Sequence, residues 1–266
     1  MHRITILVST ADRRVIKNAD LLNTRLHDNF RMVILNQMIE DSEPLTISKK
    51  FCTVINSKTK GLSKSRNLAF AQVEKGIGVI ADDDVRYLES TEDTIRKAFK
   101  DFPSCQIFTF KIVTPEGKDF KRYADQTFVH NRKSILKVSS ISMAVNVKII
   151  KDVDLSFDER FGLGSIYPTG EENIYLNDAL KRGISARFIP KPIVVHEPMS
   201  SGKTLSPKIL WAKGAMFRRL YGVKGLAVVV FFLFLKRKEL QKKGTNFTEA
   251  YRLSIEGFRS LKQYER

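Results

Sequence analysis

The chain of 266 residues is poor in cysteine, has one tryptophan, and carries far fewer acids than bases. Each scarcity removes a class of protein. The two cysteines, Cys52 and Cys105, stand far apart and outside any C-x-x-C pair. That excludes a disulfide scaffold and a cysteine zinc site, and is what two reduced core thiols of a cytosolic protein look like. The opening residues, MHRITILVST, contain no extended apolar stretch, so a secretory leader is not expected. The longest apolar run, GLAVVVFFLFL, covers only Gly225 to Leu235. A bilayer-spanning helix needs roughly 20 such residues, so a span is not expected. There is no P-loop, no G-x-G-x-x-G, no internal repeat and no low-complexity linker. The shortage of acids, 29 against 46 Lys and Arg, leaves a net charge of +17. Charge of that size bears on partners rather than fold, and admits nucleic acid, an anionic membrane face or phosphate-bearing substrates.

What the chain does contain is an ordinary globular balance, 42% hydrophobic with 28% charged residues. Four apolar, β-rich runs come early: Ile4–Thr10, Arg31–Gln37, Cys52–Ser57 and Gly78–Asp84. Near-continuous apolar strands belong to a parallel sheet covered on both faces. Helical stretches are expected between them. One covers Arg13 to His27. A second covers Ser63 to Lys75, with Ser63 as N-cap, Leu68, Ala71 and Gln72 close together, and Gly76 behind it. A third follows Ser90, with Asp93 completing a capping box and Ile95, Phe99 and Phe102 as its apolar stripe. Later, CQIFTFKIV and SSISMAVN read as strands, and EENIYLNDALKRG as a helix with acids first, bases last and Gly183 after it. ARFIPKPIVVHEP is extended, with Pro190 and Pro192 confining it to an edge or a loop. Alternating strands and helices predict an α/β fold with a mostly parallel sheet.

Chemistry concentrates in four places. VIADDDV ends an apolar strand in three aspartates. In open α/β sheets, ligands bind at the carboxyl ends of strands. Strand alternation would point Asp82 and Asp84 to one side and Asp83 away. Two hard carboxylates on one side can hold Mg²⁺ or Mn²⁺, although a solvated turn also accounts for them. KTKGLSKSRNLAF places cations and hydroxyls at a helix start, where an anion is favoured but an ordinary capped helix is equally served. FDERFGLGSIYPTGEEN runs a loop rich in glycine into Glu171 and Glu172, which are either dipole-favoured surface acids or a general base beside its substrate. VVHEP ends a strand at His196, a structural histidine or a metal ligand.

Taken in this order, the stretches resemble a GT-A-fold glycosyltransferase of the family 2 type over about residues 3–200. GLSKSRNLAF is similar to that family's G-x-S-x-x-R-N helix start, ADDDV to its metal-binding D-x-D strand end, and GEEN to its acidic pair. The family's D-D-G-S after the second strand is missing, replaced by LNQMIEDSE. The resemblance implies a Rossmann-like sheet flanked by helices, with a nucleotide-sugar half over about 1–100, an acceptor half over about 101–200, and a basic helical extension over 201–266. It implies a nucleoside-diphosphate sugar as donor, UDP favoured, whose pyrophosphate is bridged by Mn²⁺ or Mg²⁺. Asp84 would bind the metal directly, Asp82 the ribose or the metal, and His196 would add a further ligand. Thr10, Asn36, Gln37, Arg66, Asp82 and Asp83 fall in the nucleotide-sugar positions. Glu172 would be the base, and Glu171 and Gly164 would meet the acceptor. Inversion follows from attack opposite the leaving group. Asp83, on the far side, is expected to pair with a cation, and the site to bind sugar nucleotide poorly without an ion.

The tail changes character. Residues 203–243 contain eleven Lys or Arg and one acid, Glu239. Cations flanking GLAVVVFFLFL describe an interfacial element on anionic lipid, with Trp211, Phe217 and Tyr221 at headgroup level, or a buried helix with a basic outer face. A glycan or polyprenyl-diphosphate-linked acceptor and a peripheral position on the inner face of the cell membrane are the matching expectations. The competing readings are a nucleic-acid-binding protein or metal nuclease and a non-catalytic nucleotide-binding relative. The first is weakened because the cations crowd beside an apolar run and no nucleic-acid module is recognisable, so no nucleic-acid partner is expected.

Overall fold

The computed structural model describes residues 3–24, 30–39, 43–197 and 205–264. The chain divides into two compact units. The first comprises Met1–Lys60, Lys64–Phe157 and Tyr175–Pro198, and the second Gly61–Ser63, Asp158–Ile174 and Met199–Arg266.

Ahead of the last segment of the second unit, the chain follows the order β1 (Ile4–Ala11), α1 (Ala19–Leu22), β2 (Phe30–Gln37), β3 (Cys52–Ser57), α2 (Leu62–Ala71), β4 (Ile77–Asp82), β5 (Arg86–Tyr87), α3 (Thr91–Asp101), β6 (Ile107–Val113), β7 (Phe128–Val129), β8 (Met143–Asn146), α4 (Val147–Asp152), α5 (Glu171–Lys181) and β9 (Ala186–Val195). Among the described residues these strands form one sheet in the order β3-β2-β1-β4-β8-β6-β9-β5, with β7 added beside β9. Strands β1 to β4 are mutually parallel, as are β6 and β9, and β8 runs against both β4 and β6. This is the expected α/β architecture, a mostly parallel sheet between helices.

Both faces of the sheet are apolar for one reason: side chains alternate, and helices cover each side. Ile6 and Val8 of β1 join one core with Ile95 and Ala98 of α3. Leu7 joins the other with Phe70 of α2, Val147 and Ile150 of α4, and Leu176 and Ala179 of α5. Each buried Val, Leu, Ile or Phe side chain among these contributes on the order of 2 kcal/mol.

Local expectations fare unevenly. The stretch predicted as one helix from Arg13 contains instead a short 3-10 turn, Arg14–Lys17, and the four-residue α1; its far end lies in residues 25–29, outside the described ones. Ser63 does not cap α2 but sits in its first turn, and its hydroxyl donates to the Phe161 carbonyl at 2.6 Å. The face of α2 expected to be buried is outward: Leu68 is exposed, while Ser65, Arg66, Ala69 and Phe70 are buried. Ser90 precedes α3 without a side-chain capping bond, and within α3 Glu92 pairs with Arg96 at 2.6 Å. The proline-bearing strand β9 is not an edge, because it pairs with β6 on one side and with β7 and β5 on the other. Its prolines are tolerated because the register with β6 slips on either side of Lys111, which faces Pro192.

In the second unit, α6 (Pro207–Tyr221), α7 (Gly225–Lys242) and α8 (Phe247–Ser260) accompany the loop Asp158–Ile174. Helix α6 starts with Pro207 in its first turn behind the N-cap Ser206, and α8 with Asn246 accepting from the Glu249 N–H at 2.7 Å. Tyr167 lies stacked against Phe161 at 4.8 Å and Trp211 at 4.7 Å, and its hydroxyl meets Ser260 at 3.0 Å. Asp158 accepts from both Arg160 and Arg219. Helices α6 and α8 approach so closely that their backbones nearly touch. A Cβ on Gly214 would stand 1.8 Å from the Ser254 carbonyl oxygen, and one on Gly257 1.8 Å from that of Trp211. Phe217 is buried in this unit rather than free to reach headgroups, and Trp211 is half-buried against Tyr167. Gly214→Ala should destabilise the protein by on the order of 3 kcal/mol, because helix backbone rather than a pliable side chain must move. An unfolding midpoint unchanged in urea would contradict the close crossing.

Candidate active site

The three aspartates occupy the end of β4 and the turn after it. Alternation holds only as far as Asp82, the last strand residue, because Asp83 and Asp84 lie in the turn. The turn is held by Asn18, whose side-chain amide donates to the carbonyls of Asp83 at 3.0 Å and Val85 at 2.8 Å. The same Asn18 caps α1 by accepting from the Leu21 N–H.

Each carboxylate has a different partner. Asp82 accepts from the Arg66 guanidinium at 3.0 Å, and the same nitrogen donates to the Ser140 hydroxyl at 2.9 Å. Arg66 is 1% exposed and lies over the Phe157 ring at 5.5 Å. The buried face of α2 is polar for this reason: Arg66 reaches Asp82, and Ser65 donates to Ser9 at 2.9 Å. Asp83 accepts from the Thr10 hydroxyl at 2.5 Å. Its direct partner is that hydroxyl and not the expected cation; Arg14 acts on it only through space. Burial raises the Asp83 pKa, with the neighbouring Asp84 and Asp82 adding to the rise against the Thr10 hydrogen bond.

Asp84 lies 3.3 Å from Nε2 of His196. The hydrogen bond to His196 holds the Asp84 carboxyl below its usual range, and the same bond raises the His196 imidazole. Nδ1 of His196 meets the Glu197 carbonyl at 2.6 Å and Phe120 packs edge-on at 5.5 Å, so the ring is oriented with Nε2 toward Asp84. A carboxylate and an imidazole whose other nitrogen is tied to a carbonyl form a donor set that suits a divalent ion. Among the described residues, no three His, Cys, Asp or Glu converge as a metal cage.

Asp84 and His196 border a cleft of about 680 Å³ that also has Arg14, Lys17, Asn18, Asp83 and Arg86 in its wall. Arg14 and Lys17 are cations that no sequence motif pointed to; they line the cleft because the chain turns sharply after β1. The turn uses left-handed backbone at two adjacent non-glycine residues, Asp12 (φ 48°) and Arg13 (φ 63°), which costs on the order of 1–2 kcal/mol at each. The Arg13 N–H donates to Asn36 at 3.0 Å, and the Asp12 side chain accepts from the Ile39 N–H at 2.8 Å. Asn36 is fully buried and also donates to Asn56 at 2.9 Å; Gln37 is buried beside it at the end of β2. Thr10, Asn36, Gln37, Arg66, Asp82, Asp83, Asp84 and His196 thus belong to the first unit.

Gly164, Glu171 and Glu172 belong to the second. Gly164 has φ 79° in the exposed loop, and Glu171 is buried where α5 begins. Gly170, just ahead, has φ 90°, and a Cβ there would strike Met216 at 2.6 Å. Lys213 of α6 faces the acidic pair: burial pushes its ammonium down, while Glu172 and Glu171 pull it up. This lysine had no signal in the sequence beyond its place in a basic tail.

A mostly parallel sheet flanked by helices, with carboxylates at the end of a central strand, is the GT-A type of α/β fold. S. aureus TarS has the same fold. Its 1–349 crystal structure superposes with a TM-score of 0.59 at 14% identity, over 99% of this chain and 91% of that one. The complex of TarS 1–349 with UDP-GlcNAc gives 0.61 at 13% over the same shares. The complex with UDP gives 0.59 at 13%. No family model and no curated protein sequence matches the chain.

Arg66→Met should cost on the order of 2 kcal/mol, because it takes the cation from Asp82 and the donor from Ser140. Arg66→Lys should recover little of that, since one ammonium does not reproduce a planar fork. Urea unfolding of the three proteins checks both statements.

Proposed function

We propose that the protein is an inverting glycosyltransferase that moves a sugar from a nucleoside diphosphate, UDP favoured, to a hydroxyl of a glycan or lipid-linked acceptor in surface polysaccharide synthesis. The observation that carries this reading is the Asp84–His196 pair beside Arg14 and Lys17 in one cleft at the end of β4. The presence of UDP-GlcNAc and UDP in crystals of a protein with the same fold supports the choice of nucleotide.

Asp84 and His196 would hold Mn²⁺ or Mg²⁺, which when bound neutralises diphosphate charge. Arg14 and Lys17 add positive charge where the leaving diphosphate gathers its electron pair. Arg66 fixes Asp82, and Thr10 fixes Asp83, so the turn keeps its shape while charge develops. Glu172 takes the proton of the acceptor hydroxyl. The hydroxyl oxygen bonds to the anomeric carbon as the bond from that carbon to the phosphate oxygen breaks, and the configuration inverts. Lys213, a cation of α6, places positive charge beside Glu172 and Glu171.

Asp84→Ala and Glu172→Gln should each lower transfer from a UDP-sugar by about a thousandfold or more with the unfolding midpoint preserved, and chelation of divalent ions should have the effect of the former. A radiolabelled-sugar transfer assay reads this out. Wild-type rates in either variant would remove that residue from its role, and transfer in excess chelator would remove the ion.

The second unit supports a peripheral position on the inner face of the membrane. Helix α7 exposes Val230, Phe231, Phe234 and Leu235 along one side, continuing from Val223 and Leu226. Lys224 precedes the stripe and Lys236, Arg237 and Lys238 close it. No helix among the described residues is long and apolar enough to cross a membrane. A shallow apolar stripe rimmed by cations suits an anionic lipid surface. The protein should sediment with vesicles rich in phosphatidylglycerol, and F231D/F234D should abolish this. Equal sedimentation of the variant, or of the wild type with purely zwitterionic vesicles, would refute membrane contact.

A further inference from the structure

A second cavity in the first unit, of about 440 Å³, lies where β6, β7 and β9 meet. It shares no lining residue with the cleft at Asp84. One wall is aromatic. Tyr123 stacks on Phe188 with ring centres 5.9 Å apart and planes 6° apart, and Phe128 lies 5.2 Å from Phe188. The strand register explains the grouping: Thr109 faces Phe188 across β6 and β9, and Phe128 faces Phe188 across β7 and β9. At the floor, His130 is 5% exposed, with Nε2 at 2.7 Å from the Thr109 hydroxyl and Nδ1 at 3.0 Å from that of Ser134. Burial pushes its pKa down to about 4, so it is neutral near pH 7.

The charge of the lining has one sign. Lys121, Arg122, Lys133 and Lys137 contribute, and no Asp or Glu does. Arg122, Lys133 and Lys137 are exposed at the mouth, while Lys121 is tied across it by donating to the Lys137 carbonyl and to the Ser139 hydroxyl at 2.8 Å. Four cations on a cavity without acids favour a multiply charged anion at the mouth. Aromatic faces below favour a compact body with an apolar side, which a saccharide ring presents through its C–H groups.

We infer that this cavity binds a phosphorylated saccharide, with the ring against Tyr123, Phe128 and Phe188 and the phosphate at Arg122, Lys133 and Lys137. The choice of saccharide rests on the glycosyltransferase reading; the anion site itself does not. The phosphate can be a monoester on a free sugar or a diester within a glycan chain.

The test is binding, and so is independent of transfer activity. The chain has four histidines, so imidazole ring signals can be followed individually by NMR. Glucose 6-phosphate, a phosphodiester of glucose, glucose, inorganic phosphate and UMP are titrated against the full chain. Glucose 6-phosphate or the diester should shift the His130 ring signals and leave those of His196 in place; whichever binds tighter identifies the source as free sugar or chain. Arg122→Glu with Lys133→Glu, at exposed positions that leave the fold alone, should weaken that binding by at least about tenfold. Glucose or inorganic phosphate shifting the His130 signals at as low a concentration as the ester, UMP shifting them at a lower one, or an undisturbed His130 signal would each overturn the inference.

Discussion

Three carboxylates in succession at the end of a buried strand are an electrostatic liability, and the upper edge of the sheet is organised around discharging it. At an effective dielectric near 20, two unit charges roughly 6 Å apart repel by about 3 kcal/mol. The fold answers with three different chemistries: a buried guanidinium for Asp82, a hydroxyl for Asp83 and an imidazole for Asp84. Each answer dictates something distant in sequence. Helix α2 must turn a polar face to the sheet, β1 must carry Thr10 close to its end, and β9 must lead into His196. The result is graded. Asp82 is neutralised within the protein and Asp83 is drawn toward its protonated form by burial. Asp84 retains a charge shared with one ring that is oriented but not buried out of reach of the cleft.

That grading connects structure to chemistry. An aspartate already spent on Arg66 is a poor first choice for an ion, whereas Asp84, 65% exposed at its side chain and beside an oriented imidazole, is a good one. The cations Arg14 and Lys17 stand in the same wall because two residues before them accept left-handed backbone, a strain of the kind that folds retain where geometry serves a ligand. In the second unit, the acidic pair acts on the charge of a lysine from α6.

The strands were legible in sequence because residues buried on both faces leave an unbroken apolar signature; β1 to β4 lie within a residue or two of their expected positions at most ends. Helix faces were less legible. The apolar grouping of Leu68 with Ala71 mispredicted α2 because the buried face is defined by Arg66 and Ser65, whose burial depends on partners from β1, β4 and the segment before β8. Asp82, Asp84 and His196 could be nominated from strand ends, but the division of labour among the aspartates could not, since it depends on Thr10, Ser140 and Asn18 arriving from elsewhere. Arg14, Lys17 and Lys213 carried no local pattern at all. They are cations in a chain full of cations, and only the path of the backbone distinguishes them. The tail's aromatic residues divided in the same way: Phe217 was absorbed by helix packing, while Phe231 and Phe234 were left outside.

The two prolines of β9 have a consequence outside the site. Between the short ladders to β7 and to β5, the outer flank of β9 over residues 189–193 has no strand beside it among the described residues. A gap of that kind in a large sheet is where a foreign strand could dock and seed an aggregate. Pro190 and Pro192 have no N–H to offer there, and the Ile193 carbonyl is already taken by Leu88 and Thr91. The same residues that disturb the register on the inner side therefore offer a poor hydrogen-bonding template on the outer one.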